Sequence, residues 1–107
     1  MTEYGKRTRA IALLYSQHDP VVFEALMRRH RLRIVYTVYT DVAAVLAALI
    51  AVQHALDHLA DAVAVPHLGA LEPDTPWWVI TEAADLITGA GQYPRRSAVL
   101  GPTEATP

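Results

Sequence analysis

The sequence predicts an α/β domain with three layers, in which helices cover both faces of a mostly parallel four-stranded sheet. Short runs of β-branched and apolar residues alternate with segments of helical periodicity, in the order β-α-β-α-β-α-β. With 107 residues, 52% of them hydrophobic and 19% charged, the chain suits one domain with a buried core. We expect that domain over residues 9–92, with a flexible basic arm at 1–8 and a disordered tail at 93–107.

Four short segments predict the strands. Residues 9–16, RAIALLYS, form an apolar run typical of a strand buried on both faces. Residues 32–40, LRIVYTVYT, are dominated by β-branched and aromatic side chains and give the clearest strand signal. Residues 61–65, DAVAV, end at a proline, and residues 85–88, DLIT, end at a glycine-rich turn. Three helical segments lie between these strands.

The first helix is predicted to begin at Pro20, because Asp19 can cap it and proline is favoured in a first turn. Its apolar side chains recur at helical spacing, and it ends in the basic run at residues 28–31. The third helix is expected to follow Thr75 and to run from Trp77 to Ala84. Trp77 and Trp78 are interpreted as packing for a small core or as a dimer contact.

The second helix is predicted over residues 42–60, with Asp41 as its cap. Its large aliphatic side chains fall on one side, which we expect to face the core: Val42, Val45, Leu46, Leu49, Val52, Leu56 and Leu59. The opposite, solvent-facing side would carry His54, Asp57, His58 and Asp61. The two histidines are four residues apart and could ligate one metal, but solvated histidines are the favoured interpretation.

Composition excludes several classes of protein. There is no cysteine, so a disulfide framework, a thiolate zinc site and a cysteine nucleophile are ruled out. The longest apolar run has 11 residues, at 42–52, which is short of the ~18 that a membrane span requires. We expect no membrane partner and a cytoplasmic protein, since the N-terminus has no apolar signal segment. The net charge of −2 lacks the basic excess typical of a nucleic-acid-binding domain.

Acidic and histidine side chains follow the predicted strands, where ligands bind in open parallel sheets. The candidates for a divalent metal at this acidic edge are His18, Asp19, Asp41 and His67. The favoured alternative is that Asp19, Asp41 and Asp74 are helix caps beside exposed histidines, because acids at helix N-termini need no further reason. We therefore assign no metal, no cofactor and no catalytic residue.

Seven of the nine basic residues are expected at the opposite edge of the sheet. Four of them, Arg28, Arg29, Arg31 and Arg33, lie between the first helix and the second strand. They are the candidates for contact with nucleic-acid phosphates, although a solvated edge is the favoured interpretation. Tyr36 and Tyr39 are an odd number of residues apart and so point to opposite faces, which does not make a base-stacking platform.

The order of segments resembles the N-terminal catalytic domain of serine recombinases, the resolvase–invertase family. The likeness covers residues 9–87 and rests on Tyr15 after the first strand, the VYTD at 38–41 and the D-x-V-x-V…L-x-x-L pattern at 61–71. It implies a resolvase-like fold and places the chain beside proteins of DNA recombination. Members of that family form a covalent phosphoserine link to DNA, and their arginines stabilise charge on the phosphate.

The residues that perform this chemistry are missing. The family has a tyrosine, an arginine two residues later and the nucleophilic serine two further, where this chain has Tyr15, Gln17 and Asp19. The family's leucine-aspartate-arginine-leucine is replaced by Leu-Gly-Ala-Leu at 68–71, and the arginine that follows it by Pro73. The glycine-serine loop after the second strand is absent too. The resemblance therefore implies a degenerate, non-catalytic relative.

The leading hypothesis from the sequence is a non-catalytic resolvase-like domain, a recombinase remnant that acts by contact with a second copy or another protein. One alternative is a small signalling or ligand-binding module that uses the acidic edge for Mg²⁺ or a phosphoryl group. Receiver domains of that kind need an aspartate after the third strand and a later lysine. Here Pro66 and His67 follow that strand, and no lysine occurs after Lys6. A second alternative is weak, nonspecific DNA binding through the basic edge.

Overall fold

A computed structural model describes residues 7–96 as one α/β domain. Its sheet has five strands in the order β2-β1-β3-β4-β5, with β1 at Thr8–Leu14, β2 at Leu32–Tyr39, β3 at Ala62–Val65, β4 at Asp85–Thr88 and β5 at Gln92–Tyr93. The first four strands run parallel, and β5 pairs antiparallel with β4. The four predicted strands are confirmed, and the fifth was not predicted because it has only two residues.

A β-bulge in β2 changes which side chains share a face of the sheet. Ala10 of β1 pairs with Ile34, whereas the next residue, Ile11, pairs with Tyr36. Val35 is therefore an extra residue, and Tyr36 lies on the face opposite to that of Ile34 although both positions are even. Tyr36 consequently reaches the helix that covers that face.

The first helix, α1, spans Pro20–His30 as the sequence predicts. The carboxylate of Asp19 accepts a hydrogen bond from the backbone N–H of Val21, which confirms Asp19 as the cap. Leu26 is the buried side chain of this helix and belongs to a core cluster with the alanines Ala62 and Ala64 and with Ile87 of the sheet. The helix thus covers one face of the sheet through this cluster.

The second helix, α2, spans Ala44–Asp57 and packs on the other face through alanines. Its buried side chains are Ala47, Ala48, Ala51 and Ala55. The predicted core face is wrong, because five of its side chains are half or more exposed: Val45, Leu46, Leu49, Leu56 and Leu59. The predicted cap is wrong as well, since the N-cap position is Ala43 and no side chain in the described part of the chain caps the helix.

The third helical segment is a 3₁₀ helix at Pro76–Glu82 rather than an α-helix ending at Ala84. Trp77 and Ile80 are buried beside α2, so Trp77 is core packing, as expected. Trp78 is half-buried, donates from Nε1 to the carbonyl oxygen of Glu72 at 2.6 Å and meets the ring of Tyr93 edge-on. This segment and α2 together cover one face, which gives the expected three layers.

The β4–β5 hairpin extends the ordered domain beyond the predicted boundary. Thr88 is fully buried, and its Oγ accepts from the N–H groups of Ala90 and Gly91 in the turn. After β5, the N–H of Arg95 donates to Asp85, and Arg96 forms a 2.7 Å salt bridge with Glu82. Residues 93–96, which the sequence assigned to the tail, therefore include groups that bond to the domain. Residues 97–107, and residues 1–6 of the predicted arm, lie outside the described part of the chain.

Candidate functional site

The loops that follow β1 and β2 are joined at the C-terminal edge of the sheet. The carboxylate of Asp41 accepts two hydrogen bonds from Ser16, one from its backbone N–H at 3.0 Å and one from its hydroxyl at 2.7 Å. Asp41 therefore holds the loop after β1 instead of capping α2. It lies two residues past the end of β2, the strand that pairs with β1, and so is close to the end of β1. The sequence identified Asp41 as a site candidate but not this role.

These two hydrogen bonds also set the ionisation of Asp41. The bond from the backbone N–H of Ser16, followed by that from the Ser16 hydroxyl, lowers the pKa of this fully exposed carboxyl below its usual value. A carboxylate with a lowered pKa is a weaker base than an ordinary one. The Ser16 hydroxyl is thus hydrogen-bonded to a group that is poorly suited to remove its proton.

His67 lies next to this pair of loops and is held by aromatic rings. Its imidazole is 4.1 Å from the ring of Tyr15 and 6.1 Å from that of Trp77, measured between centroids. Although the residue as a whole counts as exposed, the packed ring loses hydration, and this burial lowers the pKa of His67. His67 is therefore an uncharged aromatic wall of the site near neutral pH.

A cavity of about 480 Å³ opens between these groups. Its polar lining comes from Tyr15, Thr40, Asp41 and His67, and its apolar lining includes Trp77 and Leu68. Asp41 is the charged side chain among the lining residues. The cavity can take a small molecule with an apolar body and a hydrogen-bond donor or a positive charge. The sequence did not predict Trp77 in this lining, because the packing of Trp77 against His67 depends on the fold.

The four candidate metal ligands do not form a metal site among residues 7–96. His18 lies with Asp19 and His67 beside a smaller cavity of about 270 Å³, where its Nδ1 is 3.1 Å from the carbonyl oxygen of Tyr15. Asp19 is engaged as the cap of α1, and Asp41 is engaged by Ser16. Among residues 7–96, no group of three or more His, Asp or Glu side chains is placed to hold a metal ion. Each candidate thus has a structural partner of its own.

The loop after β3 is fixed by a close approach to the β4–β5 turn. A Cβ atom added at Gly89 would lie 2.6 Å from the carbonyl oxygen of Pro66 and 3.4 Å from that of Leu68. Only a residue without a side chain fits there. Gly89 therefore lets the hairpin turn support the loop that carries His67.

The opposite edge of the sheet is basic, with acids mixed in. Arg7, Arg28 and Arg31 line a cavity of about 490 Å³ together with Glu24. Arg9 was expected in the same basic group, but its guanidinium donates to the carbonyl oxygens of His58 and Leu59 at the end of α2.

The remaining basic side chains at this edge are either exposed to solvent or close to acidic side chains. Arg29 and Arg33 are exposed. Arg95 shares a smaller cavity with Asp61 and Asp85, so this end carries both signs of charge. The predicted separation of charge is therefore clearer at the acidic edge than at the basic one.

His54 and His58 are not on a solvated face, which corrects the sequence-based expectation. The ring of Tyr36 stacks on both, with centroids 4.5 Å from His54 and 4.6 Å from His58. The Nδ1 of His54 is buried without a hydrogen-bond partner among the residues that the structure describes. Tyr36 and Tyr39 do lie on opposite faces, since Tyr39 is near His18 and Tyr36 is against α2.

Within residues 7–96, no helix combines the length and the apolar character that crossing a membrane requires. Comparisons of the chain with protein-family models, with curated proteins and with solved structures found no match.

Proposed function

We propose that this chain is a non-catalytic, resolvase-like α/β domain that acts by contact with another protein. The strand order is shared with flavodoxin-like domains, so the proposal rests on the site rather than on the sheet. The main observation in its favour concerns the C-terminal edge of the sheet, where a reactive centre would lie in a domain of this architecture. Ser16 is hydrogen-bonded to Asp41 there, and the two cavities at this edge are lined without arginine or lysine.

The chemistry of phosphoryl transfer supports this interpretation. A serine that attacks a phosphodiester needs a base to take its proton and cations to stabilise the charge on the phosphate. Asp41 has a lowered pKa and is a weak base. Its negative charge lies beside the Ser16 hydroxyl and would repel a phosphate group. Asp41 is therefore poorly suited to meet the first requirement, and no arginine or lysine lines either of these cavities to meet the second.

The direct test is incubation of the purified full chain with supercoiled plasmid DNA, followed by gel analysis. We expect no nicked or relaxed DNA and no covalent protein–DNA product. Nicking that disappears in Ser16→Ala would overturn the proposal. Asp74→Asn, which changes an exposed acid that lines neither of the two cavities at this edge, is the matched control.

A metal- or phosphoryl-binding module makes a different prediction for the same edge. Trp77 lines the cavity that contains Asp41, so its fluorescence should report a bound ion. We expect no saturable change with millimolar Mg²⁺, because Asp41 stands without a second carboxylate in the lining. A saturable change that is lost in Asp41→Asn, but kept in Asp74→Asn, would favour this alternative instead.

Polyanion binding at the basic edge is a second candidate, and one observation favours it. Three guanidinium groups, those of Arg7, Arg28 and Arg31, line one cavity. Contact of these groups with phosphates would give a DNA affinity that falls with salt by a log–log slope of roughly 0.9 per phosphate. Arg28→Ala should lower that slope, whereas Arg29→Ala, a neighbouring arginine outside the cavity lining, should leave it unchanged.

A further inference from the structure

One side of α2 presents large aliphatic side chains to solvent. We call it the apolar stripe, and it consists of Val42, Val45, Leu46, Leu49, Leu56 and Leu59, which are 43–78% exposed. Residues 42–56 carry no charge. Four members of the stripe belong to the helix itself, and Val42 and Leu59 extend it at the two ends. The aliphatic members of the stripe are thus uncharged, while Gln53 and Asp57 of the same helix lie beside its C-terminal half.

The area of the stripe is that of the apolar centre of an interface. Complete burial of an aliphatic side chain corresponds to roughly 100 Å², so the six exposed fractions amount to roughly 350 Å² in each copy. A patch of this size is comparable to the largest apolar patch on a typical monomer, and such patches are often functional. A standard interface buries about 800 Å² per partner, of which little more than half is apolar. The stripe with a polar rim is therefore sufficient for a small, weak dimer.

An exposed leucine at the end of α2 has a backbone conformation that costs some energy. The N–H of Ala60 bonds to the carbonyl oxygen of Ala55, and that of Leu59 to Leu56, which is the pattern that usually has glycine at its left-handed position. Here that position is Leu59, with φ of 54° and 78% exposure. The folded chain gains little from this side chain, so a contact outside the chain is the consistent reason for it.

Polar groups at the two ends of the stripe favour an antiparallel arrangement of two such helices. Gln53 lies within the stripe, but its amide donates to both carboxylate oxygens of Asp57 at 3.2 Å. In an antiparallel pair, Asp57 would approach the N-terminal turn of the other α2. Among residues 7–96, no side chain caps that turn, and helix N-termini favour negative charge.

We propose that the apolar stripe is the interface of a homodimer, formed by two α2 helices that pack antiparallel across a two-fold axis. This inference rests on the proposed function, contact with another protein, and identifies that protein as a second copy of the chain. An uncharged stripe can face itself without like-charge repulsion, which a two-fold interface requires. A charged or strongly polar partner would find no complementary group between residues 42 and 52.

The test is sedimentation velocity of the full chain at concentrations from low micromolar to several hundred micromolar. We expect a reversible monomer–dimer equilibrium with a dissociation constant in roughly the micromolar range, as suits a small interface. Leu49→Glu should weaken association about tenfold or more, since it places a charge in the centre of the stripe. Circular dichroism should show that this variant stays folded, because Leu49 is half-exposed.

The matched control is Val21→Glu, which adds the same charge at a 76% exposed valine of α1 and should leave the equilibrium unchanged. A full chain that stays monomeric at every concentration would overturn the homodimer, as would equal effects of the two substitutions. A monomer without DNA nicking would leave the proposed function standing with a different partner. A dimer that nicks DNA through Ser16 would support the homodimer and overturn the proposed function. The two proposals can therefore fail separately.

Discussion

The two faces of α2 differ in the size of their side chains much more than in their hydropathy. Ala47, Ala48, Ala51 and Ala55 are at most 5% exposed, whereas Leu49 on the opposite face is 50% exposed. Alanines let the helix backbone approach the sheet closely, and leucines on that face would hold it away. Since residues 42–52 are apolar on every side, steric fit decides which face of this part of the helix is buried, and the larger aliphatic side chains are left outside.

The strongest test of this contrast is Ala51→Leu. Ala51 is fully buried against the sheet, and three additional heavy atoms there should lower the free energy of unfolding by about 3 kcal/mol. Leu49→Ala, on the exposed face, should change it by only about 0.5 kcal/mol at concentrations where the chain is monomeric. Urea denaturation measures both, and similar losses in the two variants would contradict the assignment of faces.

A steric limit of the same kind governs the loop that carries His67. Gly89→Ala would place a methyl group 2.6 Å from the backbone oxygen of Pro66, which cannot move without shifting the loop. We expect a loss of about 1–2 kcal/mol in the free energy of unfolding. Gly69→Ala is the control in the same loop, because nothing lies within 4 Å of its added Cβ, and its effect should be near zero. A neutral Gly89→Ala would show that the turn does not support the loop.

Leu59→Gly should raise the stability of the monomer and weaken its association. Glycine adopts the positive φ of 54° without strain, so the monomer should gain about 0.5–1 kcal/mol, after the greater flexibility of the unfolded chain is included. Leu56→Gly, at an exposed position within the helix, should instead cost about 1 kcal/mol. If the stripe is the dimer interface, Leu59→Gly should also weaken the dimer, and a more stable chain that dimerises equally well would contradict a role for Leu59.

The smallest expected effect is the pH dependence that His67 contributes. Burial lowers the pKa of His67 in the folded chain below the usual value of 6.5, so the unfolded chain binds more protons as the pH falls past 6.5. Stability should therefore decrease from about that pH downward until the folded pKa is passed. Imidazole NMR titration measures this pKa directly. Tyr15→Ala should return it toward 6.5, and titration of His67 at or above 6.5 in the unaltered chain would contradict its burial.

The sequence identified the secondary structure well where each local signal was specific. Asp19 followed by Pro20 located the start of α1, and the β-branched run after Arg31 located β2. It failed where the signal was ambiguous or too short. The two-residue β5 has no periodicity to detect, and Asp41 before an apolar run looks the same whether it caps a helix or binds Ser16.

The candidate site was only partly predictable for the same reason. The edge of the sheet at which Asp41 and His67 lie follows from the alternation of strands and helices, and it was expected. The pairing of Asp41 with Ser16, and of His67 with Tyr15, depends on loop geometry that no spacing encodes. The stack of Tyr36 on His54 depends on the bulge at Val35, which shifts the face of one side chain.

The amino-acid sequence by itself determined the alternating order of strands and helices and the acidic side chains at the C-terminal edge of the sheet. These follow from residue type and chain order, which are local properties. Only the tertiary structure decided which side of α2 is buried, what Asp41 binds and which aliphatic side chains remain at the surface. Those outcomes depend on how closely two backbones can approach, and such distances arise only once the elements pack together.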